Sequence, residues 1–477
     1  MPEASPRRTS AAIVLAVVLA GGSLVLAAAA PSAAPRPRGD RPNIVVILTD
    51  DQSFDTLPSE PPAMPWLQSQ IQDPSGHWLW FPDAIISTPM CCPSRATILS
   101  GRYSHHTHVR NNDEGERFDD TDTLPTWLHD GGYFTGISGK YLNKYPFGRG
   151  PYVAPGWDRW VVKRNTARTT TYYDYGFVDQ GVPLQVRDAP ASYATDLFAD
   201  RAIDFIRSAP ADQPYFLYFA PSAPHPPWTP PRRHVGAFAG DAIPEPRSVN
   251  EHDVSDKPAW VQDLEPLDAR ERALLVRDQR RERETLLGVD DQVHRIVDAI
   301  AARGDLDRTV IFFLTDNGYS FGEHRIRGKR CAYEECIRTP LAVRVPGLRS
   351  ATIDGMVSNV DLAPTIADLA GVTPGLPEDG RSFASALRGQ AWRPPAGALI
   401  EWAGDASVPP WQGVRTTDLV YVEDADGTAE LYDLTGVAGP ADPLELRNRA
   451  GDPRYRVQVH RLRALLHRLR SGPSGRG

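Results

Sequence analysis

The chain has 477 residues, a formal net charge of −8 at pH 7 and a pI near 5.9. This length allows one large domain and a smaller one, and the acidic balance offers no basic field for nucleic acid. With four cysteines the chain is no disulfide scaffold, and its 45 prolines and 38 glycines suit a loop-rich enzyme better than a fibrous protein.

Residues 1–34 are predicted to be a signal peptide, followed by a linker at 35–41. Arg7 and Arg8 precede an uncharged run, and small residues near its end offer cleavage sites. We expect cleavage, export to the medium or the cell envelope by the Sec or twin-arginine route, and no stable membrane contact afterwards. An uncleaved anchor is the alternative, because about 20 apolar residues can span a bilayer.

Two apolar runs, at 43–48 and 309–314, are predicted to be buried strands of a parallel sheet. Both are followed by side chains that carry oxygen ligands: Asp50, Asp51, Asp316 and Asn317. Because sites form at the carboxyl ends of strands in open parallel sheets, we expect these groups to converge. The set favours Ca²⁺, with Mg²⁺ as the alternative. Alone, an aspartate pair is equally typical of a solvated turn.

The most informative stretch is 88–112. Cys91 and Cys92 precede Pro93, which suits the first turn of a helix, so both cysteines are predicted at a helix N-terminus. This position favours an anion, and Arg95, nearly one turn on, can direct forked donors at the same anion. A buried cysteine pair at a helix start is the plainer interpretation.

Three cationic residues are candidates for the same site. A strand at 133–138 is predicted to present Lys140, and a strand at 214–220 leads into a proline-rich loop with His225. A lone lysine or histidine is more often a solvated or structural residue, but both follow strand ends at the edge that carries the acids. Lys329 lies in the loop after the second acidic strand end.

Other segments are predicted from their periodicity. Residues 193–207 and 268–303 should be amphipathic helices, and 357–371 a helix that starts or kinks near its proline. The stretch 152–188 resembles an irregular excursion over the site more than core.

Cys331 and Cys336 are close enough in sequence to form a small disulfide loop, which export would permit. Two free buried thiols are an equally good interpretation. The spacing alone does not choose between them.

The chain changes character near residue 375. Four short strand-like runs follow, and then an amphipathic helix with a basic outer face around 462–469. We expect this helix to pack on a small antiparallel sheet; membrane association is the weaker alternative. The predicted domains are a catalytic one at 42–374 and a small α+β subdomain at 375–477.

Residues 91–102, CCPSRATILSGR, match all twelve positions of the signature C-x-P-S-R-x(4)-[TS]-G-R, so the chain resembles the type I sulfatases. The likeness extends from Pro42 to about Arg449. The strings SGKYLNKY, APHPPWTP and TDNGYSFGEHRIRGKRCAYEECIRTPL are similar to those of glucosamine-6-sulfatase-like and heparan-type members. The resemblance implies an α/β, alkaline-phosphatase-like sandwich. Its large, mainly parallel central sheet would be flanked by helices, beside a smaller C-terminal antiparallel sheet with a helix.

The resemblance also implies cofactors and roles. A separate formylglycine-generating enzyme would convert Cys91 to Cα-formylglycine, whose hydrate is the nucleophile. Ca²⁺ would be bound by this residue together with Asp50, Asp51, Asp316 and Asn317. The sulfate would be held, or proton transfer assisted, by Arg95, Lys140, His225 and Lys329. Many relatives have a catalytic histidine two residues after the Lys140 position; this chain has Leu142, a replacement that the glucosamine-6-sulfatase branch shares.

The expected function is therefore that of an exported sulfuric ester hydrolase. Its substrates would be sulfated glycans or small molecules, either 6-O-sulfated N-acetylglucosamine-type sugars or aryl sulfates. A phosphomonoester or phosphonate-ester hydrolase on the same fold is one alternative, since one scaffold hosts several reactions. A catalytically silent glycan-binding protein is the other.

Overall fold

The computed structural model describes residues 41–165, 171–189 and 191–471. The predicted signal peptide and residues 35–40 of the predicted linker lie outside these described residues. Within them, no helix combines the length and apolar character that a membrane crossing requires.

The strands form one large sheet, one small sheet and two short pairs. They are β1 (Asn43–Thr49), β2 (Trp78–Phe81), β3 (Ala84–Ile85), β4 (Phe134–Gly139), β5 (Arg159–Lys163), β6 (Tyr175–Asp179), β7 (Val182–Val186), β8 (Tyr215–Ala220), β9 (Thr309–Thr315), β10 (Ser320–Phe321), β11 (Arg327–Gly328), β12 (Leu341–Arg344), β13 (Ala351–Thr352), β14 (Val357–Ser358), β15 (Ala398–Trp402), β16 (Trp411–Arg415), β17 (Leu419–Asp424) and β18 (Ala429–Asp433).

The large sheet has the strand order β13-β2-β12-β9-β1-β8-β4-β5-β6-β7. The strands from β9 to β5 run parallel, with Val45 of β1 opposite Leu217 on one side and Ile311 on the other. Antiparallel pairing begins at β12 on one edge and at β6 on the other. The two acid-bearing strands are therefore neighbours, as the sequence predicts, in a mainly parallel sheet.

The helices cover both faces of this sheet. They are α1 (Pro65–Gln72), α2 (Cys91–Ser100), α3 (Ser104–Thr107), α4 (Leu124–Asp130), α5 (Ala194–Ser208), α6 (Ala259–Gln262), α7 (Ala269–Ala302), α8 (Glu334–Ile337), α9 (Leu362–Ala370), α10 (Ala384–Leu387) and α11 (Arg456–Ser471). Val45 and Ile47 of β1 pack in the core that α1, α5 and α7 close. Ile44 and Val46 point into the opposite core, which α2, α4 and α9 close. Strand β1 is apolar on both faces because helices cover the sheet on both sides.

The long helix α7 begins where the sequence predicts. Asp268 precedes it, and its Oδ1 accepts a hydrogen bond of 2.7 Å from the backbone N–H of Glu271. The carboxylate of Glu271 accepts in return from the N–H of Asp268, at 2.9 Å. This reciprocal pair is a capping box, which satisfies two N–H groups at the helix start.

The prediction of an irregular excursion at 152–188 is wrong. The segment contributes β5, β6 and β7, which extend the large sheet. Gln180 and Gly181, with φ values of 47° and 82°, form the tight turn between β6 and β7. Because Val182 on the edge strand is 56% exposed, no continuous buried run marks the strand in the sequence.

The helix predicted at 357–371 starts near its proline, as one of the two predicted alternatives has it. Residues Val357 and Ser358 form the short strand β14, and the α-helix starts at Leu362. The Oδ2 atom of Asp361 accepts a hydrogen bond from the N–H of Ser358 at 2.9 Å. Pro364 then occupies the first turn, where a missing N–H costs nothing.

The C-terminal elements follow the prediction. β15 to β18 form an antiparallel sheet in sequence order. Leu462 and Leu466 of α11 are buried against Leu399 and Val414 of this sheet. The domain boundary near residue 375 stays a prediction.

Candidate active site

The site is built at the carboxyl ends of neighbouring strands. Asp50 and Asp51 follow β1, Asp316 and Asn317 follow β9, and Lys140 follows β4. The loop after β8 joins them, because the N–H of Asp50 donates to the carbonyl oxygen of Ala223 at 3.1 Å. The convergence expected from the strand order is therefore present in the structure.

Asp51 makes hydrogen bonds to both of the polar residues that follow β9. It is buried, and its backbone adopts a left-handed conformation with φ of 63°. Its N–H donates to Oδ1 of Asp316 at 3.1 Å, and its Oδ1 accepts from Nδ2 of Asn317 at 2.7 Å. The remaining amide atom, Oδ1 of Asn317, is buried and has no hydrogen-bond partner among the described residues.

Cys91 lies at the N-terminus of α2, as predicted. Its side chain has no solvent-exposed surface, and its Sγ lies 3.4 Å from Oδ1 of Asp50. Nζ of Lys329 is 2.8 Å from the same sulfur. Burial raises the pKa of the Cys91 thiol far above its ordinary value, although Lys140 and Lys329 oppose the shift. Cys92 points into the apolar core instead.

Three cationic side chains surround the acids. Nζ of Lys140 lies 2.6 Å from Oδ2 of Asp50, and Nζ of Lys329 lies 2.5 Å from Oδ1 of Asp51. Arg95 is fully buried and holds Oδ2 of Asp316 through Nε at 2.7 Å. Its Nη1 donates to the carbonyl oxygen of Lys140 at 3.0 Å.

The cations decide the charge of the first carboxylate. Burial by itself would raise the pKa of Asp50, but the charges of Lys140, His225, Arg95 and Lys329 outweigh it and hold the pKa well below the ordinary value. For Asp316, burial and the neighbouring Asp50 prevail over Arg95 and raise its pKa to about 6. Burial would also raise the pKa of Asp51, but the charges of Lys329 and His225 outweigh it and lower that pKa. The site therefore contains two carboxylates that its cations keep ionised and a third, Asp316, whose pKa is raised.

The side chain of His225 is partly exposed, at 23%, so this residue borders the open side of the site. Its Nε2 lies 3.5 Å from Oδ2 of Asp51, and its Nδ1 lies 2.6 Å from the carbonyl oxygen of Pro226. That carbonyl can only accept, so Nδ1 carries a hydrogen and Nε2 faces the site.

These residues fit a divalent cation. One ligand atom from each of Asp50, Asp51, Cys91 and His225 lies within 4.8 Å of the others. Asp316 and Asn317 join this group through their hydrogen bonds to Asp51. Carboxylate and amide oxygens are the donors that Ca²⁺ and Mg²⁺ prefer, and the unpartnered Oδ1 of Asn317 suits such an ion.

All nine predicted site residues therefore lie in one connected cluster, while their individual roles stay predictions. Leu142 is buried in the apolar core and does not take part. Sequence reasoning missed Lys163, which ends β5, has its Nζ 3.4 Å from Oγ of Ser222, and is buried. Burial lowers its pKa to about 8, although Asp50 opposes the shift. The run RWVVK offers the same strand-end signal as the other segments.

Comparison with known proteins agrees with this geometry. The sulfatase family model matches residues 42–372, and a second model, described as the C-terminal part of N-sulphoglucosamine sulphohydrolase, matches residues 322–472. The N-acetylglucosamine-6-sulfatase of Capra hircus is 33% identical over 384 residues, which are 76% of this chain and 67% of the relative.

Solved structures share the fold. One, described as a complex with its substrate D-glucosamine-2-N,6-O-disulfate, is 25% identical, with a TM-score of 0.75 over 92% of this chain and 100% of the other. The phosphonate monoester hydrolase of Agrobacterium radiobacter is 21% identical, with a TM-score of 0.67 over 90% of this chain and 96% of its own.

Fold and sequence together define an α/β hydrolytic enzyme of the alkaline-phosphatase-like class. The chain belongs to the sulfatase family, whose reaction is the hydrolysis of sulfate esters. Within that family it is similar to the N-acetylglucosamine-6-sulfatases.

Proposed function

We propose that this protein is an exported hydrolase of sulfate monoesters whose nucleophile derives from Cys91 and whose site uses Ca²⁺. The observation that carries the proposal is the position of Cys91 at a helix N-terminus, between Lys329 and Asp50, with sulfur distances of 2.8 and 3.4 Å. An anionic group that enters here meets positive charge and the helix dipole together.

The residues that would hold the cation are Asp50, Asp51, Asp316, Asn317 and residue 91, with Mg²⁺ as the alternative ion. A formylglycine-generating enzyme would have to convert Cys91 during maturation. When both groups are in place, the aldehyde hydrate supplies the nucleophilic hydroxyl and the cation supplies the charge that activates it.

The cationic side chains would bind the sulfate. Lys140 and Lys329 reach the acids from different loops, and the ammonium group of each lies within 2.6 Å of a carboxylate oxygen. Arg95 is rigidly held by Asp316 and by a backbone carbonyl, so its charge needs no rearrangement during the reaction. Fixed positive charge of this kind stabilises the charge that develops on the nonbridging oxygens.

Two groups can move protons. Asp316 could accept one while it remains a ligand of the cation, since Arg95 and the N–H of Asp51 hold its two carboxylate oxygens in place. Nε2 of His225 faces the site from the partly exposed side, where a leaving group would depart. We assign His225 the donation of its Nε2 proton to that alkoxide, which requires the imidazolium form because Nδ1 carries the hydrogen of the neutral ring. Burial lowers the pKa of His225, while the charges of Asp51 and Asp50 favour the protonated form.

The substrate class rests on similarity. The relatives named above include N-acetylglucosamine-6-sulfatases and a structure bound to a 6-O-sulfated glucosamine. We therefore propose 6-O-sulfated N-acetylglucosamine-type sugars as substrates, with simple aryl sulfates as surrogates. A panel of both, ranked by kcat/KM, tests this assignment.

The nucleophile is tested by the variant Cys91→Ala. We expect sulfate release to fall to the background rate, because alanine offers no group to convert. The adjacent Cys92→Ala is the matched control, since Cys92 is equally buried but packs in the apolar core; it should keep turnover within about threefold. Mass spectrometry of the peptide that contains Cys91 should detect an aldehyde in place of the thiol. Wild-type turnover by Cys91→Ala would contradict the proposal.

The phosphonate-ester alternative is tested in the same assay. Aryl sulfate, aryl phosphate and aryl phosphonate monoester are offered in parallel to the matured protein. A much larger kcat/KM for either phosphorus ester would replace the sulfatase proposal. Loss of all three activities in a matured, folded sample would favour the silent glycan-binding protein.

A further inference from the structure

A second buried cluster of ligand-type side chains lies apart from the nine site residues. It consists of His324, between β10 and β11, Glu335 in α8, and Glu445, in the loop after β18. One ligand atom of each residue lies within 4.8 Å of the other two. The side chains come from three separate segments of the chain, and nothing in the proposed reaction uses them.

Each member has an atom without a partner. Nε2 of His324, Oε2 of Glu335 and Oε1 of Glu445 are buried, and none of them makes a hydrogen bond to any residue the structure describes. His324 is 0% exposed and Glu445 is 1% exposed. Unsatisfied buried polar atoms are costly, and three on side chains this close together can share one partner.

In His324 and Glu445, the second polar atom of the side chain makes a hydrogen bond. Nδ1 of His324 lies 2.7 Å from Oε2 of Glu251, which places the ring hydrogen on Nδ1 and leaves the Nε2 lone pair free. Oε2 of Glu445 accepts from the N–H of Glu334 at 2.8 Å. A carboxylate behind a histidine is the usual arrangement that orients a metal ligand.

The chemistry of the free atoms points to a cation rather than an anion. Two of them are carboxyl oxygens, and the third is the Nε2 lone pair that the hydrogen bond to Glu251 leaves on His324. Oxygen atoms of carboxylates and the lone pair of a neutral imidazole are donors to a metal ion.

We propose that His324, Glu335 and Glu445 form a second metal site, which binds a divalent transition cation and suits Zn²⁺ best. One imidazole nitrogen and two carboxylate oxygens are common zinc ligands, at distances of about 2.0–2.2 Å. An all-oxygen set would favour Ca²⁺ instead, as in the first site. The two sites therefore select different ions by ligand chemistry.

The position of this site gives it a structural role. His324 and Glu335 flank Lys329 in sequence, and Glu445 belongs to the C-terminal part of the chain. A cation bound by all three closes the Lys329 loop at its base and fixes it to the loop after β18. The structure contains the disulfide between Cys331 and Cys336, which links the inside of this loop to the residue that follows Glu335.

A cavity adjoins one member of the cluster. It has a volume of about 210 Å³, and its lining includes Glu335 together with Glu282 and Arg338. His324 and Glu445 do not line it. The cavity therefore shows only that Glu335 borders open space.

The test uses the full chain, stripped of metal with a chelator and then supplied with Zn²⁺ alone. Crystals are measured on both sides of the zinc absorption edge, and we expect an anomalous peak between Nε2 of His324 and the two carboxylates. In solution, Glu335→Gln and Glu445→Gln should each weaken Zn²⁺ binding by at least about tenfold, since even outer partners of ligands change affinity by about 10–100-fold.

Two controls separate this site from other zinc binding. Glu282→Gln removes a buried carboxylate of the same cavity and should leave Zn²⁺ affinity unchanged. Asp50→Asn weakens the first site and should also keep the bound zinc. An anomalous peak only at the Asp50 cluster, or unchanged affinity in both Glu335→Gln and Glu445→Gln, would overturn the proposal. The crystallographic measurement needs no variant, so it decides even if a substitution prevents folding.

Discussion

Arg95 lies at 0% exposure between an acid of the proposed metal site and a lysine of the proposed sulfate site. Its Nε holds Asp316, and its Nη1 holds the backbone carbonyl of Lys140. Nη2 makes no hydrogen bond to a described residue and lies 3.9 Å from Oδ2 of Asp50. One rigid guanidinium therefore sets the positions of two groups and has a donor left for substrate.

The variant Arg95→Lys should lower kcat for an aryl sulfate by about 10²-fold or more, the size of effect that follows loss of one charge-stabilising donor. A lysine keeps the positive charge, but its single nitrogen cannot hold Asp316 and the Lys140 carbonyl in the same fork geometry. Steady-state kinetics measure the split between kcat and KM. Arg117→Lys, at an exposed position, is the control. A kcat within about twofold of wild type would show that charge alone suffices.

At the scale of elements, helix α7 carries a buried acid on the face that meets the site loops. Glu282 is 2% exposed, and its Oε1 accepts from the N–H of Ser53 at 2.8 Å. Burial raises its pKa to about 8, despite this hydrogen bond. The helix therefore supports the loop after Asp51 with a carboxyl group that is neutral over much of the physiological pH range.

The pKa of Glu282 makes stability depend on pH in a defined direction. Between the ordinary value of 4.5 and about 8, the unfolded chain has released the proton that the folded chain still holds, so stability falls as pH rises. Relative to wild type, we expect the free energy of unfolding of Glu282→Gln to rise by about 1 kcal/mol or more between the two ends of this pH range. Urea unfolding measures it, with Glu284→Gln on the same helix as control. A constant difference between wild type and Glu282→Gln would contradict the prediction.

How much the sequence reveals depends on whether a feature is local. The runs before Asp50 and Asp316 show their burial and their polar ends directly, so the parallel centre of the sheet and the meeting of the acids could be predicted. The exposed edge strand β7 and its hairpin could not, because its side chains are not buried and no apolar run marks it. The second cluster also escaped, since Glu445 lies far from Glu335 in sequence and only tertiary folding brings them together.

At the scale of the whole molecule, the first site joins segments that are distant in the chain. Asp51 and Asp316 are 265 residues apart and are linked by a direct hydrogen bond. A ligand held by both binds only the folded chain. Its binding free energy therefore adds to global stability by mass action.

We expect Ca²⁺ to raise the unfolding temperature of chelator-treated protein. At a Ca²⁺ concentration of about 100 times Kd, the free energy of unfolding should rise by up to about 2.7 kcal/mol. Thermal unfolding with and without Ca²⁺ measures this effect. Asp50→Ala should abolish most of the response, while Glu335→Gln should retain it because its ligand set belongs to the second site. An identical Ca²⁺ response in wild type and Asp50→Ala would contradict the location of the first site.

The complete burial of Cys91 also fixes an order of events. A modifying enzyme is itself a macromolecule and cannot reach a side chain that the finished fold leaves without exposed surface. If Cys91 is converted, the conversion must happen while helix α2 is still open to a partner, during synthesis or translocation. Each folded molecule would then be either converted and active or unconverted and inactive, and it would stay so after folding. The specific activity of a preparation would record the history of its chains rather than the conditions of the assay.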